Sequence, residues 1–269
     1  PNTFLQKKRQ KMKKIPKLHD NKNNFIFYKN KQSQSHSKIS ILSYNILNQL
    51  FMKKYNRPDL SVDNRMKKIK NEILSLSPDI FCLQEADQYV YQKYFTSDKF
   101  AEYSTVYGVN CGSSFMNVVG FKKKKFILKS FKNFSLIFLG KMAGNRGVMN
   151  VQLEHEESNQ FISIYNVHFP WKFEKDRYSI MTMIYEHIKE IDPIEKKPNV
   201  FIVGDLNSEP NSNVIKLLYF NDYLKEKDPA LYKTIHGSLF GIAMNLPGKF
   251  GRKCSVGAYK VAQKFVGFN

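Results

Sequence analysis

Short runs of apolar residues, separated by an amphipathic stretch, mark the first part of the chain. Residues 39–44 and 80–83 are rich in apolar side chains, which predicts two buried strands. Between them, Met66, Ile69 and Ile73 recur at intervals of three and four residues, the spacing of one helix face. Pro78 ends that pattern, so a helix is predicted over 65–76. The predicted order is strand, crossover helix, strand.

The same order repeats later in the chain, and in both copies an asparagine and a carboxylate close the strands. Asn45 ends the first strand, and Glu85 follows 40 residues later; Asn166 and Asp205 repeat this arrangement 39 residues apart. The doubled unit predicts two asparagines and two carboxylates at one rim between two sheets. Because carboxylate and amide oxygens suit a hard cation, the rim is a plausible site for a cation and a phosphate.

The remaining pattern completes a layered fold. Helices are also predicted over 89–100, 176–191 and 212–218, and strands over 113–121, 126–138, 147–153, 161–167 and 199–203. We predict an α/β (α+β sandwich) class in which two mixed β-sheets pack face to face with helices outside, a four-layer αββα arrangement. The predicted domains are a basic N-terminal arm (1–38), the sandwich domain (39–232), predicted to be incomplete at its C-terminal end, and a basic, glycine-rich tail (233–269).

Positive charge is concentrated at the two ends of the chain. The net charge is +20, of which residues 1–38 carry +10, residues 229–269 carry +6 and the middle carries +4. Two basic extensions favour binding to a polyanion such as RNA through its phosphates. A solvated tail or a nuclear-import patch is the alternative for the N-terminal run. The candidate RNA-binding residues are Lys7, Lys8, Arg9, Lys11, Lys13, Lys14, Lys249, Arg252 and Lys253.

Composition argues against several other classes. The chain has no apolar run of about 18 residues and no secretory signal at its start, so neither a membrane span nor secretion is predicted. Its three cysteines lack C-x-x-C spacing, which predicts unpaired thiols and no zinc site. We therefore expect an intracellular, reducing location, with the mitochondrion favoured over the cytoplasm or nucleus.

Four motifs carry a resemblance to a known superfamily. They are S-Y-N-I-L (43–47), L-Q-E (83–85), Y-N-V-H-F-P-W (165–171) and V-G-D-L-N-S-E-P (203–210). In this order they resemble the endonuclease/exonuclease/phosphatase superfamily, whose fold is like that of DNase I. The N-x-H-x-x-W and G-D-x-N-S-x-P arrangements are most similar to the deadenylase and nocturnin branch. The resemblance spans roughly residues 39–220 and implies Mg²⁺-dependent phosphodiester chemistry.

The resemblance implies roles for five residues. Glu85 matches the superfamily's main Mg²⁺ ligand, with Asn45 in support. His168 matches the residue that hydrogen-bonds the scissile phosphate. Asp205 and Asn207 match the pair that orients the attacking water and stabilises the transition state. The metal and these donors would offset negative charge that develops on the phosphate oxygens.

Other chemically capable residues have plainer explanations. We predict structural roles for His155 and His187, and a solvated loop rather than a substrate clamp for the lysine run at 122–125. Trp171 and Phe173 either stack on a base or cover the core; the sequence favours neither.

The superfamily's last motifs, a D-Y-I strand and a terminal Ser-Asp-His, have no counterpart in this sequence. The last acidic residue is Asp228, and one histidine, His236, follows Asp205. Losing a general base and its orienting acid removes a factor of about 10² to 10⁴ in rate. The sequence therefore predicts a catalytically impaired protein in which His168, Asp205 and Asn207 keep vestigial roles.

A retained fold with two basic extensions predicts an RNA-binding structural subunit of a large ribonucleoprotein, with an organellar ribosome favoured. The expected partners are RNA, in particular rRNA, and neighbouring proteins; Mg²⁺ at the retained rim is the one candidate cofactor. The first alternative is an active Mg²⁺-dependent RNA 3′-exonuclease or deadenylase-like phosphodiesterase, with His236 or a residue of a partner protein completing the site. The second is an incomplete gene prediction whose true C-terminus carries the Asp and His.

Overall fold

The computed structural model describes residues 25–26, 38–52, 61–109, 114–136, 146–190, 199–209, 212–215, 241–244 and 259–266. The strands in these ranges are β1 Phe25–Ile26, β2 Lys38–Asn45, β3 Ile80–Asp87, β4 Tyr103–Val109, β5 Phe115–Lys122, β6 Phe126–Phe134, β7 Gly147–His155, β8 Gln160–His168, β9 Asn199–Asp205, β10 Gly241–Met244 and β11 Tyr259–Val266. The helices are α1 Gln49–Met52, α2 Val62–Leu76, α3 Gln88–Val90, which continues as a π-helical turn over Tyr91–Phe95, and α4 Glu174–Glu190.

The strands form two mixed sheets, as predicted. The first sheet has the order β1-β11-β2-β3-β5-β4, and the second has the order β10-β9-β8-β7-β6. In each sheet one parallel pair, β2 with β3 and β8 with β9, is joined by the predicted crossover. These two pairs bring the C-terminal ends of four strands to the same region between the sheets.

Apolar side chains fill the three interfaces between neighbouring layers, which establishes the four-layer αββα arrangement. Between the sheets lie aliphatic residues of both, among them Ile41, Cys82, Val151 and Ile164. The α2 helix packs its Met66 face on the first sheet, and the Ile184 face of α4 packs on the second. Burial of this apolar surface is the main stabilising contribution to such a sandwich.

Local sequence explains where α2 begins and ends. The Ser61 side chain accepts a hydrogen bond from the Asn64 backbone N–H, which satisfies one of the free donors at the helix start. At the other end, Ser77 adopts a left-handed conformation, and its N–H reaches back to the carbonyls of Ile73 and Leu74. Pro78 follows directly, so the chain leaves the helix and enters β3.

Two predictions about individual elements were wrong. The helix predicted over 89–100 ends at Phe95, because Thr96 takes an extended conformation. Strand β4 was missed, because an edge strand with mixed exposure shows little alternation of polar and apolar residues.

No helix in the described part of the chain is long and apolar enough to cross a membrane.

The expectation of a tail without strands over 233–269 was also wrong. Strand β10 pairs with β9, and all eight residues of β11 pair with β2, so both sheets recruit strands from beyond residue 232. Within the predicted N-terminal arm, β1 pairs with β11. The glycines at 237, 241, 248, 251, 257 and 267 favoured a loop over a strand. The sequence of β11 nevertheless alternates, with Val261, Gln263 and Phe265 at every second position.

Candidate active site

The Asn45 side chain lies between carboxylates from the two sheets. Register places Asn45 of β2 beside Gln84 of β3, so Asn45 and Glu85 reach the same rim. The Asn45 Nδ2 group donates to Glu85 Oε1 at 3.1 Å and to Asp205 Oδ2 at 2.9 Å. Asn45, Glu85 and Asp205 are all buried. One amide therefore links the acids that the repeated sequence pattern predicted at the rim.

Glu85 reaches this position through an irregular backbone. The register between β3 and β5 shifts between Leu83 and Ala86, and Glu85 itself has φ +64°. A left-handed conformation at a non-glycine residue costs about 1–3 kcal/mol and persists when surrounding contacts hold it. Asn48 supplies two of these contacts: its backbone N–H donates to Glu85 Oε2 at 3.0 Å, and its Nδ2 donates to the Glu85 carbonyl at 3.4 Å.

His168 faces the same two acids from the second sheet. Its Nε2 lies 3.4 Å from Glu85 Oε1 and 4.0 Å from Asp205 Oδ2. Burial, together with the positive charge of Arg146, holds the pKa of His168 well below its usual value. The ring is therefore neutral near pH 7, and its Nδ1 has no hydrogen-bond partner among the described residues. A neutral ring protonated at Nε2 presents an N–H donor to the rim.

Asp205 stands at the end of β9, in register with His168 of β8. The preceding residue must be glycine: Gly204 has φ +137°, and a Cβ there would lie 2.0 Å from the Val167 carbonyl oxygen. The Asn207 backbone N–H donates to Asp205 Oδ1 at 2.9 Å, while its Nδ2 donates to the Phe169 carbonyl at 2.7 Å. These bonds fix the Asp205 carboxylate and the turn after it.

Burial, nearby charges and hydrogen bonds act in opposite directions on the pKa of Asp205. Burial raises the pKa of Asp205, and the Glu85 charge raises it further. Hydrogen bonds from Asn45 and Asn207, and the charge of Arg146, act in the opposite direction, but the net effect is a raised pKa. A carboxyl group of this kind is suited to taking up a proton during a reaction.

Arg146 is a site residue that sequence reasoning missed. It is buried and directly precedes β7, whose first residue, Gly147, pairs with His168. Burial lowers the pKa of Arg146, and the charges of Glu85 and Asp205 counteract that effect. Its positive charge thus acts on both acids and on His168. Arg146 belongs to none of the four motifs; a charged residue at the start of an apolar strand was the available signal.

The donor set suits a cation that takes few ligands from the protein. In the ranges that the structure describes, no group of three or more His, Cys, Asp or Glu residues has metal-binding geometry. Asn45 Oδ1 accepts from the Leu47 backbone N–H at 3.0 Å, so Asn45 could offer this oxygen to a metal only after its amide rotates. The Glu85 carboxylate is the main available ligand. Mg²⁺ is commonly held by one or two carboxylates together with water and substrate phosphate, which fits this rim.

The structure brings together Asn45, Glu85, His168, Asp205 and Asn207, but not the other asparagine. Asn166 is fully buried between the sheets instead of lying at the rim, because β8 continues for two more residues. The nine candidate RNA-binding residues and His236 lie outside the described residues.

Two predicted structural features lie away from the rim. Lys122 and Lys125 pair with Asp79 at the opposite end of β3, at 3.5 Å and 2.8 Å, which agrees with a loop and not with a substrate clamp. His187 Nδ1 lies 2.7 Å from the Tyr165 hydroxyl beside the α4 layer.

Trp171 is 67% exposed three residues after His168, so it does not cover the core.

Two sheets that meet at a rim of carboxylate, amide and imidazole groups define a phosphoesterase-like α/β sandwich. Residues 42–254 match the Endonuclease/Exonuclease/phosphatase family, and the chain belongs to this family. Among curated proteins it is similar to a probable CCR4-Not complex 3′-5′-exoribonuclease subunit Ccr4 of Vairimorpha ceranae, with 24% identity over 71% of this chain and 46% of that protein. The corresponding Ccr4 subunit of Emericella nidulans is 27% identical over 80% of this chain and 42% of that protein. The chain thus spans about half the length of the curated relatives it matches.

Solved structures show the same fold. ANGEL2, described as a 2′,3′-cyclic phosphatase, matches with a TM-score of 0.62 and 22% identity over 69% of this chain and 57% of that chain. The human Nocturnin catalytic domain with a bound sulfate anion matches with a TM-score of 0.56 and 22% identity over 66% and 68% of the two chains. The resemblance to the endonuclease/exonuclease/phosphatase superfamily is confirmed. These relatives give no support to the predicted ribosomal or mitochondrial assignment.

Proposed function

We propose that this chain carries a divalent-cation-dependent phosphoesterase site that acts on RNA ends. The observation that carries the proposal is the meeting of Glu85, His168 and Asp205, from both sheets, with Glu85 Oε1 and Asp205 Oδ2 lying 3.4 Å and 4.0 Å from one imidazole nitrogen. RNA is favoured as substrate because the similar proteins include 3′-5′-exoribonuclease subunits and a 2′,3′-cyclic phosphatase.

In this proposal the chain's residues divide the work between cation, phosphate and water. Glu85, with Asn45 in support, would hold Mg²⁺, which supplies Lewis-acid polarisation of a phosphate oxygen when bound. His168 and Arg146 would donate hydrogen bonds or positive charge to the other phosphate oxygens. Asp205, held by Asn207, would orient the attacking water and accept its proton, a role for which a raised pKa is favourable.

Asp205 takes the base role here because His168 is the one histidine at the rim among the described residues. A family member with a separate terminal Asp–His pair would not need this assignment. Cation-dependent hydrolysis is the expected behaviour of this chain.

The test is hydrolysis of a 3′-labelled oligoadenylate, a mixed-sequence RNA and a 2′,3′-cyclic-phosphate-ended RNA with Mg²⁺ or Mn²⁺. The purified chain is compared with Glu85→Gln and with Glu154→Gln, which removes a carboxylate at the far end of β7. Hydrolysis that needs the cation and is lost only in Glu85→Gln supports the proposal. Hydrolysis that persists in Glu85→Gln, or its absence with all three substrates, contradicts it.

A second candidate, an RNA-binding structural subunit, is favoured by one observation, the charge of +10 and +6 on the two ends. Binding through such extensions should weaken steeply as salt is raised, because counterions are released from the phosphates. The test is the affinity for RNA across a salt series, measured for the parent chain and for a variant in which the Lys and Arg residues within 7–14 are changed to Gln. Binding that is lost in that variant without cation-dependent hydrolysis in the parent chain favours this candidate over the enzyme.

A further inference from the structure

A buried group of amide side chains joins the two sheets directly behind Glu85. Gln84 of β3, Asn117 of β5 and Asn166 of β8 are each fully buried. Gln84 Nε2 donates to Asn166 Oδ1 at 2.8 Å. Asn117 Nδ2 donates to the Asn166 carbonyl at 2.9 Å and to the Gly147 carbonyl at 3.1 Å. Buried amides need such partners, since buried polar groups are destabilising when left unpaired.

Asn166 uses its entire side-chain amide on the first sheet. Besides accepting from Gln84, its Nδ2 group donates to the Leu83 carbonyl at 3.0 Å and to the Val118 carbonyl at 2.9 Å. Leu83 and Val118 form the last regular pair of β3 and β5 before the register shift that ends at Ala86. The amide therefore holds both strands at the point where they separate.

The irregular segment that follows is the one that aims Glu85. Glu85 lies within the register shift and has φ +64°. Bulges redirect side chains, and a left-handed residue needs support from its surroundings. The residues on the N-terminal side of Glu85 are fixed by Asn166, while Asn48 holds the Glu85 carbonyl and carboxylate on the other side.

We propose that Asn166 is a positioning residue: from the second sheet it fixes the bulge of β3 and thereby the backbone conformation and aim of Glu85. The geometric part stands on the hydrogen bonds above, while its effect on cation binding rests on the proposed function. His168 lies two residues further along β8, the strand that carries Asn166. Asn166 thus couples the position of the cation ligand in one sheet to that of the phosphate-binding histidine in the other.

Asn166→Ala tests the proposal, with Asn150→Ala as the matched control. Asn150 is equally a buried asparagine of the second sheet, and its Nδ2 donates to Ser163 Oγ at 2.8 Å and to the Ile164 carbonyl at 3.3 Å. Both of those partners lie on β8, so Asn150→Ala removes a buried amide without touching the bulge. Crystal structures of the parent chain and of both variants give the first readout.

In the Asn166→Ala structure, Glu85 is expected to leave the left-handed region and to lose its hydrogen bond with Asn45; in Asn150→Ala both features should remain. Glu85 unchanged in Asn166→Ala would overturn the proposal. Should Asn166→Ala fail to fold, Gln84→Met removes the hydrogen bond to Asn166 Oδ1, together with the longer bonds to the Cys82 carbonyl at 3.2 Å and Ser43 Oγ at 3.4 Å, in a side chain of similar size. A Glu85 carboxylate that does not move in Gln84→Met would then overturn it.

Mn²⁺ affinity, measured by electron paramagnetic resonance without substrate, gives the second readout. Residues that orient a metal ligand typically contribute about 10–100-fold in metal affinity. We expect a loss of that size in Asn166→Ala and a change of less than about twofold in Asn150→Ala. A parent chain that binds no Mn²⁺ would overturn the proposed function, while the structures alone would still decide whether Asn166 positions Glu85.

Discussion

The two halves of the sandwich begin from one sequence plan and end with different chemistry. In the first half, β2 stops at Asn45, whose amide lies at the rim beside Glu85. In the second half, β8 runs two residues beyond Asn166, so that His168 pairs with Asp205 in register. The extra length moves Asn166 into the interior and puts an imidazole at the rim. A two-residue difference in strand length therefore separates the proposed cation site from the proposed site for a phosphate and a water.

The halves also differ at their opposite ends, where the return strands start. Pro78-Asp79 and Pro198-Asn199 occupy equivalent positions in the repeated pattern. Asp79 Oδ2 accepts from the backbone N–H and hydroxyl of Ser40, at 2.8 Å and 2.9 Å, and Lys125 pairs with its other oxygen. Asn199 makes one longer bond, from Nδ2 to the Phe161 carbonyl at 3.4 Å. This end of the first half is thus held by charged contacts, whereas the corresponding Asn199 makes a longer hydrogen bond between neutral groups.

Glu85→Gln should have the largest effect, because the neutral amide removes the main cation ligand of the first half. Loss of metal-derived charge stabilisation of about 4 kcal/mol corresponds to a fall of roughly 10³-fold in kcat/KM for RNA hydrolysis. Asn45 Nδ2 and the Asn48 N–H donate to different Glu85 oxygens, so the single amide oxygen can keep only one of these bonds. A destabilisation of about 1–3 kcal/mol is therefore expected beside the loss of activity. A variant that keeps more than a tenth of the parental kcat/KM would contradict the assignment.

Asp205→Asn should separate the second half from the first. We expect a fall of about 10²-fold or more in kcat with Mn²⁺ affinity kept within a few-fold, because the proton acceptor is lost and Glu85 remains. Single-turnover hydrolysis beside Mn²⁺ titration makes the measurement. An equal loss of Mn²⁺ affinity in both variants would show that the two acids share one role.

Asp205→Asn should also change how the folding stability of the protein depends on pH. Burial raises the pKa of Asp205, so the folded state holds this proton more tightly than the unfolded state. Stability is therefore lost as the pH rises from about 4 through the raised value, and Asp205→Asn avoids the loss. Its stability relative to the parent should increase by about 1.4 kcal/mol per pH unit within that interval, measured by urea unfolding. A difference that is constant from pH 4 to pH 8 would contradict the raised pKa.

Asp79→Asn tests the opposite end by giving the first half the residue of the second. Although burial opposes it, hydrogen bonds from Lys125 and Ser40 lower the pKa of Asp79. Hydrogen bonds to a charged group contribute about 1.5–3 kcal/mol, so a destabilisation of about 1–3 kcal/mol is expected at pH 7. A carboxyl group with a lowered pKa loses its stabilising contribution as the pH falls through its ordinary value near 4, so the difference should shrink there.

Asn199→Asp is the reciprocal control for Asp79→Asn, and the free energy of unfolding of both variants is measured with urea. It removes one long hydrogen bond at a half-buried position, so its effect on urea unfolding should be below about 1 kcal/mol. A larger effect for Asn199→Asp than for Asp79→Asn would reverse the proposed difference between the two ends.

Trp171→Ala should have the smallest effect and should act on substrate binding alone. Trp171 is the single tryptophan of the chain and is 67% exposed, three residues after His168. Stacking on a base contributes about 1–3 kcal/mol, so KM for RNA should rise about tenfold with kcat and stability unchanged. Quenching of Trp171 fluorescence by RNA measures the same contact in the parent chain. Phe131→Ala, an exposed aromatic on β6, is the control and should leave KM unchanged.

Much of the fold was predictable because local patterns decide it. Apolar runs, a helix face and the Ser61 and Pro78 signals define β2, α2 and β3 without tertiary information. The meeting of Glu85 and Asp205 followed from the repeated plan, because parallel strands end at a shared edge. The hidden position of Asn166 did not follow, because it depends on where β8 stops relative to β9, and strand ends are weakly marked in sequence.

Other features depend on contacts between distant segments. Arg146 joins the site because β7 starts next to the end of β8, a pairing that no local motif records. The left-handed Glu85 depends on a register shift against β5. Strand β11 depends on pairing with β2 across most of the chain, and its glycine-rich surroundings masked its alternation. In each case the deciding interaction joins residues far apart in sequence.

The most direct test of the central claim is an anomalous difference map from Mn²⁺-soaked crystals of the parent chain, Glu85→Gln and Asp205→Asn. We expect one Mn²⁺ peak on the Glu85 carboxylate of the parent chain, kept in Asp205→Asn and absent from Glu85→Gln. A peak that remains in Glu85→Gln, or that disappears only in Asp205→Asn, would contradict the division of cation and water between the two halves.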